Sequence, residues 1–287
     1  MITETTEKKN YWGSCKAGYR LFKFETLQDF VGLPKPHLNE SNKKYWESFN
    51  MDAKSNWLSP NGNTRKEIED FSKTGWEYGS KKSSKMINEL SLPHVESVKR
   101  KRVNSDRGDE LDIHQVNRGQ INTAWKRTKR LSRKAPKRFT LVCQVGGNCG
   151  IKSDELLWRG VATLALATVL CKAGHAVEIK AFSMIEGLYP TATIKDRLDI
   201  ITVKSFSNPL DIDALANILC LAGFFRHYIF KALLVNQDQC SDYLGRAVNN
   251  VLKFDESRQS IKIDVPQQQV RNQHKVEYWL KETVEAL

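Results

Sequence analysis

The chain has 287 residues, 40% hydrophobic and 27% charged, with a formal net charge of +12. That length holds one large domain or two small ones, and the balance fits a soluble globular protein whose surplus charge points to polyanions, nucleic acid before an anionic membrane. The longest apolar run, residues 161–171, falls short of the roughly 20 residues a membrane helix requires, so no membrane partner is expected.

In chain order, residues 1–10 are polar and charged. They read as a frayed end rather than a signal peptide, and a cytoplasmic location is expected. Residues 11–79 hold four of the seven tryptophans, Trp12, Trp46, Trp57 and Trp76, each beside a turn former or another aromatic. Short helices are predicted over 25–31 and 65–74. Thr64 and Glu67 stand at the spacing of a capping box for the second. Residues 97–119 read as a β-hairpin, with 104–110 as the turn and Leu111-x-Ile113 alternating as a half-buried strand does. Residues 123–138 form a basic segment, part helix, that ends before Pro136.

From residue 139 the pattern predicts strands over 139–145, 176–182, 199–205 and 261–265. Helices are predicted over 154–173, 211–217 continuing towards 228, 239–251 and 270–286. Strands alternating with helices of this length imply a mostly parallel sheet covered on both faces. Gly174 is placed as a C-cap and Asp211 as an N-cap. The expected fold is α/β, a Rossmann-like three-layer sandwich preceded by an irregular α+β region. It divides into a tryptophan-rich region (1–119), a basic helix or linker (120–138) and the sandwich (139–287).

Three features invite a chemical reading. The glycine-rich turn at 146–150 precedes a helix, where backbone N–H groups can cradle phosphate. It matches neither the dinucleotide fingerprint nor the phosphate loop, and a tight strand-to-helix connection explains it as well. The six cysteines, Cys15, Cys143, Cys149, Cys171, Cys220 and Cys240, contain no C-x₂-C pair. A zinc centre needs converging Cys and His ligands, so no metal, no cofactor and no catalytic residue is expected. Cys143, Cys171 and Cys220 lie in apolar stretches, where a thiol in a reducing compartment behaves as a small hydrophobe. Pairing Cys143 or Cys149 with His175 or His227 would make a thiol enzyme, a third-ranked reading.

The basic segment carries the most signal. Residues 97–138 hold fourteen Lys/Arg against four Asp/Glu, +10 of the chain's +12. The nucleic-acid-binding residues expected are Lys99, Arg100, Lys101, Arg102, Trp125, Lys126, Arg127, Lys129, Arg130, Arg133, Lys134, Lys137 and Arg138. Their density suits phosphate contacts, each releasing condensed counterions, and Trp125 is placed to stack on a base. A solvated basic linker is the plainer explanation. The N-terminal tryptophans are read either as stacking platforms or as core, with core favoured for Trp12 and Trp76.

Asp70-Phe71-x₃-Gly75-Trp76-x₂-Gly79, Gly108-Asp109-x-Leu111-Asp112-Ile113, Trp158-Arg159-Gly160-Val161-Ala162 and the stretch from Lys172 to Ile179 resemble a phage and bacterial family. Its members pair a tryptophan-rich N-terminal half with a degenerate von Willebrand factor A-like C-terminal half. In metal-binding A domains the first strand-to-helix junction carries Asp-x-Ser-x-Ser; the matching positions here are Gln144, Gly146 and Asn148, so the resemblance implies that the metal ligands are missing. In charge and aromatic content the chain is also similar to the single-stranded-DNA-binding proteins of Schitoviridae phages, which recruit the phage RNA polymerase to promoters. The resemblance implies a non-enzymatic binder of single-stranded DNA that recruits a polymerase. The competing expectation is a metal-free A-like protein–protein adaptor.

Overall fold

The structure, a computed structural model, describes residues 2–8, 18–33, 53–95, 100–130, 136–146, 150–185, 196–235, 260–266 and 269–287. The strands are β1 (Ile2–Lys8), β2 (Gly18–Phe24), β3 (Arg100–Ser105), β4 (Glu110–Leu111), β5 (Trp125–Arg130), β6 (Arg138–Gln144), β7 (Ala176–Ile185), β8 (Asp196–Lys204) and β9 (Ile261–Val265). The helices are α1 (Leu27–Val31), α2 (Arg65–Thr74), α3 (Glu77–Glu89), α4 (Ile113–Asn117), α5 (Ser153–Lys172), α6 (Ile212–Leu219), α7 (Ala222–Val235) and α8 (Gln273–Glu285). The helix expected over 239–251 lies outside the described residues, as do Trp12 and Trp46.

The molecule is a mixed α/β structure built on a six-stranded sheet of order β1-β2-β8-β7-β6-β9. β6 pairs in parallel with both β7 and β9. A mostly parallel sheet is expected from the alternation of strands and helices, and the sheet that forms is mixed, with three of its five described pairings parallel. β8 runs antiparallel to β7, and its other edge takes β2 in parallel. The reason is connectivity: no described helix lies between β7 and β8, and a parallel neighbour needs a crossover of a dozen or more residues, usually helical.

β2 changes the domain picture drawn from composition. Phe22, Phe24, Phe30, Ile68, Trp76 and Met86 belong to the same buried cluster as Leu141, Val161, Leu164 and Phe224. Among the described residues, β2 and helices α1 to α3 therefore share a core with the elements from β6 onward. The strand period of two sends the other set of side chains to the opposite face, where Leu21, Val142, Phe182, Leu198 and Ile200 form a second buried cluster.

α5 is the centre of the helical layer. It is apolar on every side, as a fully buried helix must be, and it contacts α3, α6, α7 and α8. Gly160 lets α6 come close, since a Cβ there would collide with the Leu219 carbonyl and the Cys220 sulfur. The chain leaves α5 through Gly174 at φ 86°, a left-handed conformation that favours glycine. The capping box read at Thr64 and Glu67 is present, a second stands at Thr26 and Asp29, and Asp211 caps α6.

α3 has no counterpart in the sequence reading. Its buried positions, Gly79, Ser83, Met86 and Ile87, repeat at helical spacing, but two are small and polar or bare. Gly79 is bare because a Cβ would fall inside the Trp76 ring, and Trp76 is only 2% exposed. Trp76 is therefore core, and the Gly75-Trp76-x₂-Gly79 motif is a packing motif.

Candidate nucleic-acid interface

The basic segment forms a sheet of its own, and neither half of it takes the expected shape. β5 is the central strand of a three-stranded antiparallel sheet of order β3-β5-β4. The helix expected within 123–138 is replaced by this strand over Trp125–Arg130, preceded by a 3₁₀ turn at Ile121–Thr123. The hairpin expected over 97–119 is opened as well: β3 and β4 pair with β5 from either side instead of with each other. Gly108 makes that possible. It lies against β5, where a Cβ would strike the Lys126 carbonyl, and the next N–H, of Asp109, donates to that carbonyl at 3.1 Å.

The register puts like charges opposite one another. Arg100 pairs with Arg130 and Lys101 with Lys129; Arg102 faces Thr128, Val103 faces Arg127, and Asn104 faces Lys126. Like charges directly opposite across an antiparallel pair destabilise it, as opposite charges stabilise it. Among the described side chains, two cations are offset internally. Arg102 pairs with Glu110 at 2.5 Å, and Lys126 pairs with Asp112 at 3.1 Å. The hydrogen bond from Lys126 holds the Asp112 carboxyl below its ordinary range. Asp112 also caps α4 by accepting from the His114 N–H at 3.1 Å. Arg127 is exposed, and Trp125 is half-buried beside it.

The described side chains of this unit give it little apolar core. Among the described side chains of residues 100–130, Ala124 alone is buried. A small sheet without a hydrophobic face is marginal by itself.

The remaining expected contacts are split. Lys137 and Arg138 belong to the main sheet, at the start of β6. There Lys137 Nζ donates to the Leu287 carbonyl at 2.8 Å, and the Arg138 guanidinium lies 5.5 Å from the Phe206 ring. Lys137 thus reaches Leu287, beyond the end of α8, and Arg138 the segment after β8, and neither is a member of the basic sheet. Lys99, Arg133 and Lys134 lie outside the described residues. Two cations that sequence reasoning passed over, Arg107 and Arg118, are exposed within the unit. Their signal was the same charge excess, missed because they fall between the dense runs.

The strand-to-helix junction that resembles an A-domain metal site is occupied by a side chain. Arg159, 2% exposed, reaches back from α5. Its guanidinium donates to the Gln144 carbonyl at 2.5 Å and approaches the Gly146 carbonyl at 3.4 Å. Burial pushes the Arg159 pKa down to about 10, so it stays charged at neutral pH and repels any cation placed there. Among the described residues no group of three His, Cys, Asp or Glu side chains could hold a metal ion. Adding EDTA is expected to leave the melting temperature unchanged. A saturable stabilisation by Mg²⁺ in thermal denaturation would refute this.

The thiols considered for catalysis are poorly placed for it. Cys143 is fully buried, and burial raises its pKa; the same holds for the core thiol Cys220, pushed up to about 12. A thiol nucleophile needs the opposite shift. His175 accepts from the Lys137 N–H at 3.2 Å, and His227 pairs with Glu69 at 3.0 Å. Cys149 lies outside the described residues.

A family model described as a domain of unknown function, DUF7192, matches residues 13–285. The chain belongs to the DUF7192 family. The match takes in every element from β2 to α8 and leaves β1 outside, so the small basic sheet is part of the DUF7192 domain itself. None of the curated proteins and none of the solved structures matches the chain.

Proposed function

We propose that this DUF7192 protein is a non-enzymatic nucleic-acid-binding protein that takes single-stranded DNA on its small basic sheet and recruits an RNA polymerase. The observation that carries the reading is the register of β3 on β5, with Arg100 opposite Arg130 and Lys101 opposite Lys129. Like charges at opposed register positions cost stability in the free protein, and phosphates bound by this segment would offset that cost while releasing their own counterions. Trp125 at the start of the same strand supplies a stacking face, which favours splayed single-strand bases over a closed duplex. Recruitment of a phage polymerase rests on the sequence resemblance alone, and a cytoplasmic setting on core thiols that suit a reducing compartment. In fold, the parallel trio β7-β6-β9 followed by buried α5 supports a von Willebrand A-like assignment for the C-terminal half, from which antiparallel β8 and inserted β2 depart. A metal-free adaptor is the second reading, favoured by exposed aliphatic side chains on the same unit.

The test is fluorescence anisotropy with single- and double-stranded oligonucleotides across a salt series. Tighter binding of the single strand, with affinity falling linearly in log–log form as salt rises, is the expected result. Weak binding indifferent to strandedness would instead leave the adaptor as the better account.

A further inference from the structure

The small sheet carries a second surface that phosphate binding does not use. Leu111, Ile113, Val116 and Ile121 are 45%, 65%, 36% and 66% exposed. They are four of the seven large hydrophobic residues exposed among the described residues, and they fall within eleven consecutive positions. Ile113 and Val116 stand three apart on α4, so they share one side of it. The 3₁₀ turn bearing Ile121 contacts α4. The link between them is fastened by the Gly119 N–H to Val116 and the Gln120 N–H to Gln115, both at 2.9 Å. Leu111 pairs with Trp125 at the end of the sheet. Asp112, between Leu111 and Ile113, is tied both to α4 and to Lys126, so these aliphatic residues are held in place by the backbone around them.

Grouped exposed apolar side chains of this kind mark interaction surfaces. Branched aliphatic side chains have no π-face for a base to stack on, and a phosphate backbone gains nothing by drying them. They suit an apolar stripe on another polypeptide. The surrounding charge selects the rest of that partner: Glu110 and Asp112 beside Leu111 are paired with Arg102 and Lys126, and residues 113–130 contain five Lys/Arg and no Asp or Glu. We propose that Leu111, Ile113, Val116 and Ile121 form a docking surface for an acidic amphipathic helix of another protein, laid with its apolar stripe on α4 and its carboxylates towards Arg118 and Arg127. The helix-in-groove mode of recognition has these requirements, apolar anchors at helical spacing and a complementary rim. None of the four aliphatic residues is a phosphate contact, so their part of the surface stands apart from the nucleic-acid reading, while Arg127 belongs to both.

The experiment uses the full chain and a fluorescein-labelled helical peptide of about 18 residues, or five turns, with Leu at helical spacing and Glu on the polar face. Controls are a scrambled peptide of the same composition and a version with Lys in place of Glu. The Glu peptide should bind about tenfold or more tightly than either control, and I113S/I121S should lose about that factor, as removal of two buried isoleucine contacts predicts. Binding of a single-stranded oligonucleotide by I113S/I121S should be unchanged, and its circular dichroism should match the parent. Equal binding of the Glu and scrambled peptides overturns the proposal, as does unchanged affinity in I113S/I121S. Sedimentation that shows a dimer dissolved by I113S/I121S overturns it too, because the occupant is then a second copy.

Discussion

Replacing Lys101, Arg127, Lys129 and Arg130 together with glutamine flattens the salt dependence of single-strand binding by roughly three units of slope, at about 0.7 per phosphate contact. Referred to 1 M salt, the same four contacts amount to nearly three decades of affinity at about 0.1 M. The melting temperature of the free protein should move the other way. Removing both members of the Lys101–Lys129 register pair and one of Arg100–Arg130 relieves a repulsion of about 0.2–1 kcal/mol per pair. A variant that binds less and melts higher is the signature of charges held for a ligand. A solvated linker predicts neither change. Lys126 is left out of the set because Asp112 already holds it. Trp125→Ala weakens binding with little change of slope, since stacking releases few ions. Unchanged slope and affinity in the quadruple variant would remove the basic sheet from the nucleic-acid interface.

Trp76→Ala is expected to cost about 3–5 kcal/mol, the range for truncating a large buried aromatic side chain. The ring is 2% exposed, and it fills the space that Gly79 leaves open on α3. Its neighbourhood joins α3 to α5 and α6, so the loss falls on the junction between the N-terminal helices and the central helix. Urea denaturation should show a lowered midpoint, and the surviving folded fraction should bind oligonucleotide normally. Gly79→Ala approaches the same defect from the other side, by driving a methyl group into the ring. A midpoint unmoved by Trp76→Ala would mean that the indole is not core and would restore it as a stacking platform.

What could be read in advance followed the range of the forces involved. β6, β9, α2 and α5 emerge from local information: a short apolar run, a capping box, a long apolar stretch closed by glycine. β5 does not. Its Lys and Arg residues are good helix formers taken alone, and only pairing with residues 100–105 and 110–111 makes them a strand. α3 is hidden by Gly79 and its serines, which lower helix propensity and are tolerated because small residues fit against Trp76. The direction of β8 depends on what lies across the sheet. At the junction that resembles a metal site, the missing carboxylates are visible in the sequence. That Arg159, fifteen positions after Gln144, fills the place is not, because nothing local aims a helical side chain at a strand end.

The position of β2 bears on how the protein is made. Its partner is β8, so Phe24 waits for Ile201, which is synthesised 177 residues later. Contacts that distant in sequence are slow to form, and a nascent chain meanwhile carries β2 with one edge unpaired. The small basic sheet, whose pairs span at most 30 residues, from Arg100 to Arg130, can close while the ribosome is still well short of β8. The least internally stabilised part of the protein is thus among the first able to assemble, and the main sheet is completed only when translation is nearly over. An unpaired edge on a half-made chain invites pairing with another copy. Co-translational chaperone capture and sensitivity to synthesis rate are therefore built into this strand order.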